Sequence, residues 1–331
     1  MSYQLFSQGL CSMLKPYIKV VFRSRKPSLP QAKELISHLR LTIAESRGEY
    51  TQSTRENYIT AVNALEKFLT NTMPDQRLTP ESLTSGHIKA FELWMLDSGL
   101  KPNYVAQQMR SLRALINRIN NRGKELFARV RTSPMPTAKR AVGEDTINQI
   151  GNMQLPKSTS LAFARDIFLF CFLGMGIPLI DAVHLKKSQL KGNTITYYRH
   201  KTHIMVNINV TAELQDVINR LPPTDSDYLL PILSGLDERQ HRLQYHRFYQ
   251  RYMRSLRNIA KQLELDSNLT SYTPRHSWAS IAYKKGIDIN TISQALGHAN
   301  TRITAVYIKE ICHEQLIEAN NIVINAIKHP K

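Results

Sequence analysis

Between residues 194 and 210 the apolar residues change period, and that change sets the fold class. Ile195 and Tyr197 alternate with Thr196 and Tyr198; after Arg199 to His203 the alternation resumes, with Val206, Ile208 and Val210 against Asn207 and Asn209. A two-residue repeat on both sides of a short turn predicts a β-hairpin with one buried face. Around it the apolar residues recur at steps of three and four, the helical period. The expectation is a mainly α chain with a small β-hairpin or sheet, a helical domain being followed by a mixed α+β domain.

Ser53 with Glu56 reads as a capping box, and Tyr58, Val62, Leu65 and Leu69 follow at helical spacing. Thr79-Pro80-Glu81 reads as a second helix start, N-cap plus first-turn proline, with Ile88, Phe91 and Met95 as its stripe. After the break at Gly99-Leu100-Lys101-Pro102, a third helix buries Val105, Met109, Leu112, Ile116 and Ile119 and shows Arg110, Arg113 and Arg118 on its other face. Residues 131–141 are polar with two prolines, Pro134 and Pro136, the composition of an interdomain linker. The expected division is a basic extension (1–35), a helical domain (36–130), the linker (131–141) and a second domain (142–331). That second domain opens with Glu144 and Asp145 at a helix start and an apolar helix from Ala162 to Leu173.

Between about 240 and 265 a strongly basic helix follows the hairpin. Phe248, Tyr252, Leu256, Ile259 and Leu263 form its apolar stripe, while Arg247, Arg251, Arg254, Arg257 and Lys261 occupy neighbouring faces. Cations three and four apart repel by tenths of a kcal/mol per pair, which a polyanion would relieve. The whole chain of 331 residues has 44 Lys and Arg against 26 acids, a net charge of +18, and a field of that sign draws polyanions. No run approaches the roughly 20 apolar residues of a membrane span, and Met1-Ser2-Tyr3-Gln4 lacks a signal-peptide pattern, so a cytoplasmic protein without membrane partners is expected. Cys11, Cys171 and Cys312 are widely separated and fit reduced thiols rather than disulfides or metal ligands.

Near the end stand Arg275-His276, the triplet Leu296-Gly297-His298, Thr304 and Tyr307. A guanidinium holds two phosphate oxygens through paired hydrogen bonds, an imidazole can donate to a third, and a phenol can act as covalent nucleophile. This order resembles the carboxy-terminal boxes of the tyrosine recombinase (phage integrase) family. The resemblance extends over roughly residues 36–331 in organisation and is sharp from Arg275 to Tyr307. It implies a helical core DNA-binding domain and a tyrosine-recombinase catalytic domain. It also implies DNA cleavage through a 3′-phosphotyrosyl intermediate, followed by religation without metal, nucleotide or other cofactor. Implied partners are double-stranded DNA sites, a tetramer of the chain itself on paired sites, and an accessory DNA-bending protein in the nucleoid. By the same resemblance Tyr307 is nucleophile, Arg275 and His298 hold phosphate oxygens, Lys201 in the hairpin turn is general acid, and His276 braces the fold. Arg110, Arg113, Arg118, Arg247, Arg251, Arg254 and Arg257 would face DNA, and a terminal helix beyond Tyr307 would pack on a neighbouring protomer.

Two positions depart from the family pattern. A histidine usually stands three residues before the second arginine, where this chain has Tyr272; a phenol donates a hydrogen bond but is a poor base near neutrality, its reference pKa being about 10. Tyrosine there resembles a branch found on mobile elements of anaerobic gut bacteria. The first arginine usually stands three residues before an acid, which counting back from Asp181 gives Pro178, and the branch's substitute position holds Met175. Neither can ion-pair with phosphate. Arg165 is a candidate substitute, with a structural salt bridge as its competing role. A site-specific DNA-binding protein without catalysis, and a relaxing topoisomerase of the same chemistry, are the rival readings.

Overall fold

A computed structural model describes residues 33–135, 140–235 and 237–305, and Ile324. They form two compact units divided at residues 137–138. The first unit is helical: α1 (Lys33–Glu45), α2 (Gln52–Thr72), α3 (Ser85–Asp97), α4 (Pro102–Asn120) and α5 (Gly123–Leu126). Its core takes Tyr58, Val62, Leu65 and Leu69 from α2, Ile88, Phe91 and Met95 from α3, and Val105, Met109, Leu112 and Ile116 from α4. Ile119 is only partly buried against it.

Both expected helix starts in this unit are corrected. α2 begins at Gln52 behind Thr51, whose hydroxyl accepts from the Thr54 amide, and Glu56 accepts from the Gln52 side chain instead of closing a box with Ser53. Thr79-Pro80-Glu81 forms a turn in which Thr79 and Ser82 exchange side-chain and backbone hydrogen bonds. The helix starts at Ser85, capped by Thr84 with a reciprocal bond from His87. Leu78 and Leu83 are both 1% exposed; five apart on one helix they would point about 140° from each other, and the turn lets both face inward.

The α4 arginines are engaged within this unit. Arg110 donates to Thr132 O at 2.9 Å, Arg113 to the Thr132 hydroxyl at 3.0 Å, and Arg118 to Glu49 at 2.6 Å while lying over the Tyr50 ring.

The second unit contains α6 (Glu144–Asn152), α7 (Ser160–Leu173), α8 (Leu179–Val183), β1 (Leu190–Lys191), β2 (Thr194–Tyr198), β3 (Met205–Asn209), α9 (Ala212–Arg220), α10 (Glu238–Gln262), α11 (Thr273–Lys284), α12 (Ile289–Ala295) and α13 (Thr301–Ala305). The strands make an antiparallel sheet in the order β1-β2-β3, with Ile195 opposite Ile208 and Tyr197 opposite Val206. These four side chains are buried and the alternate ones exposed, as the two-residue period requires. The buried face joins Phe168 and Phe170 of α7 and Phe248, Tyr252, Leu256 and Ile259 of α10 in one core. Cys171 lies in this core, and burial pushes its thiol up to about 12. No helix among the described residues is long and apolar enough to cross a membrane.

Candidate active site

The triplet Leu296-Gly297-His298 ends α12 in a Schellman turn. The Gly297 amide bonds Gln294 O at 2.8 Å and the His298 amide bonds Ser293 O at 3.0 Å, with Gly297 at φ +61°. This turn leaves the carbonyls of Leu296 and Gly297 free of the helix, and three side chains take them. Arg275, 2% exposed in the first turn of α11, donates to Leu296 O at 2.7 Å and to Gly176 O at 2.8 Å. Arg199, 7% exposed just beyond β2, donates to Leu296 O at 2.5 Å. Thr202 donates to Gly297 O at 3.2 Å. Two guanidiniums therefore share one carbonyl oxygen.

Gly297 cannot change without disturbing this arrangement. A Cβ there would lie 2.8 Å from Val206 Cγ2 and 2.9 Å from Arg199 Cγ, in a backbone conformation that side chains disfavour. Gly297→Ala is expected to cost about 2–4 kcal/mol, read as a lowered denaturation midpoint.

The only carboxylate hydrogen-bonded to this pair among the described residues is Asp181. Its Oδ2 accepts from Arg199 Nε at 2.7 Å and its Oδ1 from the His200 amide at 2.9 Å. Asp181 therefore pairs with Arg199, and the two guanidiniums at this helix end are donors of the kind that hold an oxyanion.

His298 completes the cluster. Arg275 Nη2 donates to its Nε2 at 2.8 Å, so the ring proton sits on Nδ1 and is donated to the fully buried Thr304 hydroxyl at 2.8 Å. Burial, with Arg275 and Arg199 alongside, lowers its pKa to about 4. The ring is neutral at pH 7. A lowered imidazole pKa contributes stability that is present above the unfolded value near 6.5 and is lost as pH falls through about 4. NMR titration of the DNA-free protein should place His298 near the lower value, and a bound phosphodiester should raise it.

The structure brings together Arg275 and His298, and ties the turn carrying Lys201 to the same helix end through Thr202. Lys201 itself is exposed. Tyr272, 50% exposed, caps α11 and stands beside His276, ring centroids 6.3 Å apart. Tyr272 and Arg275 line a cavity of about 240 Å³ with Pro178, Tyr245, His246 and Tyr249. α10 supplies Tyr245, His246 and Tyr249 to this cavity, and its Arg247, Arg251, Arg254 and Arg257 are all exposed. Tyr307, Cys312 and the apolar stripe beyond them lie outside the described residues, as do Cys11 and the basic extension through residue 32.

Pro178 caps α8, and Met175 sits in a left-handed turn at φ +55° against the core. Arg165 is held by Asp166 at 3.0 Å and by Met153 O at 2.7 Å, the structural salt bridge that competed with a catalytic role. The residue that sequence reasoning missed is Arg199. Its signal was present: continuing the period from Ile195 and Tyr197 puts residue 199 on the buried face, and Asp181 lacked a partner. Among the described residues no group of three or more His, Cys, Asp or Glu side chains could hold a metal ion.

Two guanidiniums and an imidazole gathered at one helix end place the chain in a class whose donors suit an oxyanion such as a phosphodiester. Comparison with known proteins narrows that class. The phage integrase family model matches residues 144–312, more than half of the chain, and the phage integrase SAM-like domain matches residues 34–123. The chain belongs to the phage integrase family. It is 22% identical over 247 residues to tyrosine recombinase XerD of Listeria monocytogenes serovar 1/2a, covering 69% of this chain and 78% of that protein. It is 30% identical over 158 residues to tyrosine recombinase XerC of Rhizobium meliloti, covering 46% and 48%. Its fold resembles the Tn1549 transposon integrase bound to transposon right end DNA (TM-score 0.62, 14% identity, covering 88% of this chain and 99% of that one). It also resembles a lambda integrase dimer bound to a COC′ core site (TM-score 0.60, 17% identity, covering 84% and 96%).

Proposed function

We propose that this chain is a site-specific DNA recombinase that cleaves and rejoins DNA through a 3′-phosphotyrosyl bond. The observation that carries the reading is the buried Arg275–His298–Arg199 cluster, two guanidiniums and an imidazole gathered at one helix end. Arg199 supplies the guanidinium that Pro178 and Met175 cannot, so the loss at those positions does not imply a dead enzyme. Tyr307 is the nucleophile. It lies three residues beyond Thr304, whose hydroxyl bonds His298, and three residues of chain reach at most about 10 Å.

In the cleavage step the Tyr307 oxygen bonds to phosphorus and the bond to the 5′ oxygen breaks. The phenol proton passes to His298 Nε2, which is an acceptor in the DNA-free protein and as imidazolium then donates to a non-bridging oxygen. Lys201 delivers a proton to the departing 5′ oxygen. Arg275 and Arg199 exchange their carbonyl for the phosphate, fixed donors aimed at developing charge. Tyr272, at the cavity rim, donates to the phosphate in place of the usual imidazole.

Arg247, Arg251, Arg254 and Arg257 present α10 to the DNA; Arg110 and Arg113, bonded to uncharged groups of Thr132, keep their charge for a second basic face from the helical unit, while Arg118 would have to leave Glu49 to join them. The working form is a tetramer on paired sites with an accessory DNA-bending protein, in the nucleoid, and Tyr272 favours the mobile-element branch of gut anaerobes. The reaction is integration, excision or inversion. A catalytically inactive DNA-binding protein remains the second reading because the first arginine of the family pattern is absent.

A nicked suicide substrate separates the two, since a binder forms salt-sensitive complexes but no covalent ones. The unmodified protein should form adducts. Arg199→Ala should slow them by about 10²- to 10³-fold, while Arg165→Ala leaves the rate on saturating DNA close to that of the unmodified protein. Absence of adducts from the unmodified protein would overturn the reading.

A further inference from the structure

The turn between β2 and β3 is gripped on one side by the cluster just described, through Arg199, the His200 amide and Thr202. Its other side meets a group of rings for which the cleavage chemistry has given no use. His184, at the end of α8 and three residues after Asp181, stacks on His200 with centroids 5.8 Å apart and planes inclined by 23°. Its Nδ1 donates to Ile180 O at 2.7 Å, which fixes the ring. Burial, with His200 and His241 nearby, lowers its pKa below the ordinary imidazole value, so the face it offers is uncharged at neutrality. Tyr228 stands edge-on behind it at 6.4 Å, held in place by a bridge to Lys186 and by the bond from the Leu229 amide to Leu185 O.

His200 is exposed and directly precedes Lys201. A histidine serving only the core would be satisfied by the Ile180 carbonyl and would need no ring partner on an exposed turn. Here a braced ring instead meets one of the two residues that adjoin Lys201 in the turn, the other, Thr202, being held by the Gly297 carbonyl. Rigid support of this kind is what holds a reacting group within the fraction of an ångström that proton transfer requires.

We infer that His184 is a positioning residue for Lys201, its stack with His200 setting the turn so that the ammonium faces the departing 5′ oxygen. The inference rests on Lys201 being the general acid. The test is a suicide substrate in which the scissile bridging 5′ oxygen is replaced by sulfur. Attack by Tyr307 then breaks a P–S bond and the electron pair leaves on a thiolate, which needs no proton because a thiol is far more acidic than an alcohol.

On the oxygen substrate, Lys201→Ala should form adducts at least 100-fold more slowly than the unmodified protein, and His184→Ala and His200→Ala about 10- to 100-fold more slowly. On the sulfur substrate all three should come within a few-fold of the unmodified protein. If Lys201→Ala is restored by sulfur while the histidine variants stay slow, the ring pair serves the fold alone and the inference fails with the general acid intact. If Lys201→Ala is not restored, the role of Lys201 falls and the inference with it. His200 is exposed, so His200→Ala decides the matter should His184→Ala not fold.

Discussion

Tyr307→Phe is expected to abolish covalent protein–DNA adducts on a nicked suicide substrate while leaving the affinity for that DNA unchanged. Phenylalanine keeps the ring and removes one oxygen, so packing and charge are preserved and only the atom that bonds phosphorus is lost. The loss should be complete because the other candidates are poorly suited. Cys171 is buried with its thiol pushed up to about 12, which leaves no thiolate near neutrality. Tyr272 is half exposed beside Arg275, but it caps α11, which fixes its backbone in the first turn. Adducts that persist in the variant and map by peptide sequencing to Tyr272 would move the nucleophile there.

The second large effect concerns Asp181. Its side chain is 1% exposed and carries the counter-charge for Arg199, one of two guanidiniums that share one carbonyl oxygen. Asp181→Asn keeps the shape and removes the charge, taking from the buried Arg199 the carboxylate it is paired with. Breaking a buried pair in this way costs about 3–5 kcal/mol, read as a lower midpoint in urea. Sulfate is an oxyanion that Arg199 can take in place of the lost carboxylate, so added sulfate should raise the midpoint of the variant more than that of the unmodified protein. An unchanged midpoint would show that the Leu296 and Gly297 carbonyls alone suffice to hold Arg199.

Fold class was legible because the change of apolar period around residues 194–210 has one structural solution, a half-buried hairpin. Burial in the sheet follows it residue by residue from Ile195 to Ile208. The helix starts at Ser53 and Thr79 were misplaced for a physical reason: several hydroxyl side chains in a row can each cap, and tertiary burial chooses among them. Leu78 and Leu83 both had to enter the core, which selected Thr84 over Thr79. At the site, Arg275 and His298 could be read from their order along the chain. Arg199 could not be reached by counting from Asp181, since the two are 18 residues apart and meet only because β2 ends beside α8. A charged residue in the inward phase of a strand was the available clue.

The helix end at Leu296-Gly297-His298 gives this protein a property that its separate residues would not have. Its Leu296 carbonyl holds both arginines and its last residue is the imidazole itself, so a shift of this turn reaches three side chains at once, even though Asp181 keeps its hold on Arg199 and the Gly176 carbonyl on Arg275. A substitution that loosens this one short segment is therefore felt by Arg199, Arg275 and His298 jointly, where a change at any one of them would be felt singly.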